Sequence, residues 1–212
     1  DGRTLGLLAV SIAAGVAFVQ VERRIAAPLL DLSLLGNRML VSTTIVIMLA
    51  AGTLNAMAYL LSLYFQSPDS LGFSALEAGL ATLPMTVALI LCTPVVTRMS
   101  VRFGGRTTIV VGFLAFILGY GILVFTQADW RYAAFIVPLL LVAIGMALAN
   151  GPASSAATSS VSPDDVGAAS GISNVARYIG PAIGTAAVAA IYASVQADQL
   201  ADGASAGEAL AT

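Results

Sequence analysis

Six stretches of this 212-residue chain contain no charged side chain: 4–21, 39–68, 78–97, 107–128, 132–163 and 178–197. A helix rises about 1.5 Å per residue, so roughly 20 apolar residues cross a hydrocarbon layer about 30 Å thick. The runs therefore predict six membrane-spanning helices, at 4–21, 39–64, 77–97, 107–126, 132–151 and 167–193. They are continuously apolar, whereas a β-barrel would show alternation in segments of about ten residues. The expected fold class is all-α, a polytopic membrane protein.

Composition supports the same conclusion. Charged residues make up 9% of the chain and hydrophobic ones 58%, with nine Arg, no Lys, no His and one Cys. A soluble domain needs about 25% charged residues to cover its surface. Without His, and with Cys92 alone, most metal sites, His-assisted hydrolysis and an internal disulfide are excluded. There is no phosphate-cradling Gly-x-x-x-x-Gly-Lys-Ser/Thr loop, and the serine-rich stretch Gly151-Pro152-Ala153-Ser154-Ser155 lacks the usual base for a nucleophile. That stretch reads as the end of the fifth span and a flexible loop. The chain is not expected to be an enzyme or to carry a cofactor.

The arginines suggest an orientation. With the loops after the first, third and fifth spans inside, the cytoplasm holds Arg23, Arg24, Arg38, Arg98, Arg102 and Arg106, and the outside holds Arg3 and Arg131. This distribution follows the positive-inside rule and places both ends of the segment outside, in a multi-pass cell-membrane protein. Residues 28–32 suit a short amphipathic helix on the membrane surface. Ser74 and Glu77 have the spacing of a capping box at the start of the third span. Residues 194–212, rich in Ala, Gly, Ser and acidic side chains, read as a solvated, disordered external segment beyond the transmembrane portion 1–193. A chain ending there reads as part of a longer protein.

Several polar residues stand out within this apolar background. Asn55, Tyr59 and Ser62 fall at i, i+4 and i+7, on one helical face with Gly52 a turn earlier. Such a face lines an aqueous or substrate path or, equally in kind, makes hydrogen bonds between helices. Arg177, ten residues after Gly167, is the one charge deep in a span, with Asn174 and Tyr178 as nearby polar groups. Mid-membrane arginines cost about 3 kcal/mol on insertion scales, so they face protein or water or snorkel to an interface. Arg177 is accordingly either a structural anchor or a gate. Gly180-Pro181-Ala182-Ile183-Gly184 combines a proline kink with a small-residue face for close packing. Between the third and fourth spans, Arg98, Arg102 and Arg106 crowd a turn of about ten residues whose reversal falls to Gly104-Gly105. They hold topology and touch anionic lipid, or they gate.

Arg102-Phe103-Gly104-Gly105-Arg106 resembles the signature loop of the major facilitator superfamily, in the degenerate form found in the second half of those proteins. The opening glycine and the aspartate of that pattern are replaced by Thr97 and Val101. Other segments are similar to the fourteen-span drug:proton antiporter branch: Val21-Glu22-Arg23-Arg24 with Pro28-Leu29-Leu30-Asp31-Leu32 and Asn37-Arg38, Leu63-Tyr64-Phe65-Gln66, the run from Gly72 to Leu80 with Leu83-Pro84, and Gly167 to Gly171 with Asn174, Arg177, Gly180-Pro181 and Gly184. The resemblance implies the eighth to thirteenth spans of a transporter that exports drugs or other amphiphiles by alternating access. It also implies that an equivalent helix in the first half of such a protein bears a Gly-Pro motif associated with exchange of substrate for protons, while close packing is the expected role of Gly180-Pro181 and Gly184 here. No Asp, Glu or His lies near the centre of a span, so the proton-coupling carboxylate is expected in the first half of such a protein. The expected partners are lipid, a small-molecule substrate and protons, with no nucleic acid. A non-transporting membrane scaffold using Gly180-x-x-x-Gly184 as its contact face is the alternative, and metabolite export on the same fold is another.

Overall fold

Helix occupies every charge-free run in the computed structural model, which describes residues 2–22, 24, 32–68, 70–126 and 130–201. The helices are α1 (Gly2–Glu22), α2 (Arg38–Gln66), α3 (Ala75–Ala81), α4 (Leu83–Phe103), α5 (Gly105–Leu123), α6 (Tyr132–Ser159) and α7 (Val166–Ala201), and no strand occurs among the described residues. Five segments are long and apolar enough to cross a bilayer: Arg38–Gln66, Ala75–Phe103, Gly105–Leu123, Tyr132–Ser159 and Pro163–Gln196. The run read as the first span is helical in α1, with a shorter apolar stretch, Ala9–Val21.

Local chemistry sets the boundaries. Asn37 caps α2 through its Oδ1, which accepts from the backbone N–H groups of Met39 and Leu40 at 3.0 and 3.2 Å. Its Nδ2 donates to the Ser160 carbonyl at 2.7 Å, tying the start of α2 to the end of α6. The expected capping box is present: Glu77 N–H donates to Ser74 Oγ at 3.3 Å, and Ser74 N–H donates to Glu77 Oε2 at 2.8 Å. The third span is broken at Thr82, because Pro84 has no N–H to give the Leu80 carbonyl and α4 has to start afresh.

Three boundaries differ from the sequence reading. α4 continues to Phe103 because nothing between Thr97 and Phe103 breaks a helix, so Arg98 and Arg102 lie on its last turns and Arg106 on the first turn of α5. The reversal is made by Gly104 alone, at φ 84°, a backbone conformation that favours glycine. α6 runs through Gly151-Pro152-Ala153-Ser154-Ser155 to Ser159, so this stretch is helix and not loop; Pro152 and Ala153 are buried, and membrane helices tolerate proline when neighbours cover the freed carbonyl. α7 continues over residues 194–201, where alanines favour helix, past the point at which a solvated segment is expected. Residues 202–212 and most of the suggested surface helix at 28–32 lie outside the described residues, and Leu32–Gly36 forms a 3-10 turn.

α6 is the hub of the bundle, touching α2, α4, α5 and α7. Its apolar residues Phe135, Leu139, Val142, Ala143, Ala149 and Ala153 are fully buried. Against α5 the approach is close enough that a Cβ on Gly112 would come within 2.9 Å of the Gly145 carbonyl oxygen. At the opposite end from Gly104, Phe65, Phe73, Tyr132, Phe135 and Trp130 pack in edge and tilted pairs, and Tyr132 donates to the Ala81 carbonyl at 3.0 Å. Aromatic contacts of this kind add about 0.5–1.5 kcal/mol each beyond area burial.

Candidate functional site

α2 and α7 cross at glycines. A Cβ on Gly180 would run into the Met48 carbonyl, and one on Gly184 would lie 2.5 Å from the Gly52 carbonyl oxygen. Gly52 in turn faces Gly180, with a hypothetical Cβ 2.8 Å from its carbonyl oxygen. The Gly180-x-x-x-Gly184 face is thus taken by α2 of the same chain, and α7 passes through Pro181 as continuous helix. Because Met48 pairs with Gly180 and Gly52 with Gly184, the two helices run parallel.

That register separates the expected pathway residues into two groups. Arg177, three positions before Gly180, lies level with Ile45 of α2, so Asn55 is about 15 Å further along the axis. Asn55 is exposed and gives its amide N–H to the Ala51 carbonyl of its own helix at 3.0 Å. Tyr59 is half-buried on the side facing α7. Ser62 accepts from Gln66 Nε2 at 2.7 Å and lines a cavity of about 310 Å³ between α2 and α3.

Arg177 starts about 16 Å into α7, counted at 1.5 Å per residue from Val166. It donates through Nη2 to Ser154 Oγ on α6, about 8 Å from that helix's end, so the side chain leans back toward the end of the bundle that carries Arg98, Arg102 and Arg106. Its Nε is buried with no hydrogen-bond partner among the described residues. Neither neighbour named from sequence fills that place: Asn174 is exposed and Tyr178 is 78% exposed. Ser154 is not recognisable from sequence as the partner of Arg177, because its Gly-Pro-Ala-Ser-Ser string looks like the end of a helix.

Arg98, Arg102 and Arg106 all project to the surface, and Arg102 lies over the Phe103 ring, 5.3 Å from its centroid. Beside them opens the larger cavity, a groove of about 730 Å³ between α4 and α6. Thr93, Thr97 and Ser100 line its α4 wall at i, i+4 and i+7; Asn150 lines its α6 wall. The sequence carries the same spacing for this stripe as for Asn55, Tyr59 and Ser62, but threonines in an apolar run are easily passed over.

The model of the Major Facilitator Superfamily matches residues 4–185. The chain belongs to this superfamily. It is 31% identical over 196 residues, 92% of its length, to the MFS-type transporter EfpA of Mycobacterium tuberculosis. It is 28% identical over 184 residues, 87% of its length, to the multidrug efflux pump LfrA of Mycolicibacterium smegmatis, and 31% identical over 189 residues, 89% of its length, to the lincomycin resistance protein of Streptomyces lincolnensis. These alignments span 37%, 36% and 38% of the relatives' own lengths. This major facilitator segment is a multi-pass membrane protein, helical without strands among the described residues, and two of these relatives are named as a transporter and an efflux pump. Residues 102–106, which resemble the signature loop of the superfamily, form the α4–α5 reversal at Gly104.

Proposed function

We propose that the segment is part of a secondary transporter that exports drugs or other small amphiphilic molecules, coupled to protons, by alternating access. The observation that carries this reading is the match of nearly the whole chain to a multidrug efflux pump and an antibiotic resistance protein. The α4–α6 groove supports it: about 730 Å³ of space with mainly apolar walls and a few hydroxyl and amide groups suits an amphiphile of drug size. The acidic residues Glu77, Asp164 and Asp165 sit in first turns at helix ends, so the group that titrates during transport belongs, on this reading, to other parts of the full-length protein. The segment itself performs no catalysis, and both of its ends face outward.

Within the transport cycle, the α2–α7 glycine crossing acts as a close-packed pivot and the Arg177–Ser154 contact as an anchor between α6 and α7. Arg98, Arg102 and Arg106 border the mouth of the groove and act in gating as well as in fixing topology. Asn55, Tyr59, Ser62 and Asn174 line the substrate path when the rest of the transporter is assembled around them. The test is ethidium efflux from energised cells of a drug-sensitive bacterial host expressing the full-length reading frame. The expected result is efflux that a protonophore abolishes. Equal dye retention with and without the gene, at verified membrane expression, rejects export and leaves a scaffold role.

A further inference from the structure

We infer that Arg177 forms an ion pair with a carboxylate carried by the part of the full-length transporter outside residues 1–212; this deepens the export reading and rests on it. The span Pro163–Gln196 has its midpoint near residue 180, so the backbone of Arg177 lies about 5 Å from the middle of the bilayer. A guanidinium at that depth needs an anion or a polar environment. Among the described residues it has only the neutral hydroxyl of Ser154, bonded by Nη2, while its Nε is buried with no partner. Asp164 and Asp165, in the turn before α7, start about 18 Å down the axis, and Asp165 already accepts from Ser162 at 2.6 Å. Glu77 caps α3 at the opposite end of the bundle. The charge is therefore not compensated by the described carboxylates.

The surroundings indicate what meets it. Ala176 and Gly180 are buried on the side of α7 that packs on α2, whereas Asn174, Val175, Tyr178 and Ile179 are exposed. Asn174, Arg177 and Tyr178 fall at i, i+3 and i+4, so they form one polar patch near the middle of an apolar helix. Hydrocarbon offers such a patch no hydrogen bonds, so this side of α7 meets protein and not lipid tails. A carboxylate is the complementary group: it neutralises the guanidinium and accepts two of its N–H bonds, and Asn174 and Tyr178 have donors for its remaining lone pairs. Ser154 is the positioning residue, because holding Nη2 leaves Nη1 and the second Nη2 proton to the partner. The alignments span 36–38% of the relatives' lengths, so more than half of such a transporter lies outside this segment and supplies the acid.

The test is a double-mutant scan of the purified full-length protein. Each Asp and Glu is neutralised to Asn or Gln, alone and together with Arg177→Gln, and thermal unfolding midpoints are measured in detergent. Arg177→Gln is expected to lower the midpoint by about 5 °C, because it leaves a carboxylate buried and unpaired, and one acidic neutralisation should do the same to the guanidinium. Their combination leaves neither charge alone, so its midpoint should lie above those of both single variants. Where Arg177→Gln does not fold, Arg177→Lys, which keeps the charge without the planar fork, takes its place in the scan. Acidic neutralisations that all add independently to the Arg177 variant overturn the inference, as does coupling to an acid within residues 1–212 or an unchanged midpoint in Arg177→Gln. A loss seen only in phosphatidylglycerol bilayers, and not in detergent, assigns the charge to a lipid phosphate and overturns it too. Coupling in a protein that shows no protonophore-sensitive ethidium export rejects the export reading and keeps the ion pair. Export without coupling does the reverse.

Discussion

Gly180 and Gly171 lie on the same helix in opposite situations, and the same substitution should change stability in opposite directions. A Cβ at Gly180 collides with the Met48 backbone, whereas one at Gly171 has nothing within 4 Å. Backbone cannot step aside as a flexible side chain can. Gly180→Ala is therefore expected to push α7 off α2 and cost about 1–3 kcal/mol, as overpacking does. Gly171→Ala should be neutral or stabilising by up to about 1 kcal/mol, because alanine loses less backbone entropy in a helix. Thermal unfolding of the two full-length variants in detergent measures this difference; a lower midpoint for Gly171→Ala than for Gly180→Ala would contradict the crossing. The glycine pair was readable as a close-packing face, since small residues four apart admit a neighbour. Its partner, Gly52 of α2, was not, because which helix docks there is decided by contacts over a hundred positions away in sequence.

At the scale of the element, α6 organises the bundle and Asn37 fastens α2 to it. One side chain caps the first turn of α2 with its carbonyl oxygen and holds the Ser160 carbonyl with its amide. Asn37→Ala removes both functions and is expected to cost about 1–3 kcal/mol. Asn37→Asp keeps the cap but has no N–H for Ser160, so its midpoint should fall between those of wild type and alanine. Equal midpoints for the two variants would mean that the Ser160 bond contributes nothing. The positions of the elements themselves were legible, because a charge-free run in a sparsely charged chain has little alternative to a membrane helix. The capping box at Ser74 was also visible in its three-residue spacing. Helix ends were harder to read: Gly151-Pro152 looks like a stop signal, yet burial of Pro152 and Ala153 carries α6 on to Ser159. For the same reason the pairing of Ser154 with Arg177 was hidden.

For the whole molecule, helix parity and chemistry agree on an orientation. The reversal at Gly104 and the α6–α7 connection lie at one end, with Arg38, Arg98, Arg102 and Arg106, and Arg177 leans toward that end through Ser154. The other end carries Arg131 and the cluster of Phe65, Phe73, Trp130 and Tyr132. Arginine-rich loops stay in the cytoplasm during insertion, and Trp and Tyr favour the membrane interface. The expected topology therefore has the Gly104 end inside and the 67–74 loop outside. Single cysteines in a Cys92→Ala background of the full-length protein test it. Ser70→Cys should react with a membrane-impermeant maleimide in intact cells, and Thr107→Cys only after permeabilisation. The reverse pattern would invert the segment and put the arginines outside. It would also place the mouth of the α4–α6 groove on the outer face, so that a molecule entering there would come from the medium and not from the cytoplasm.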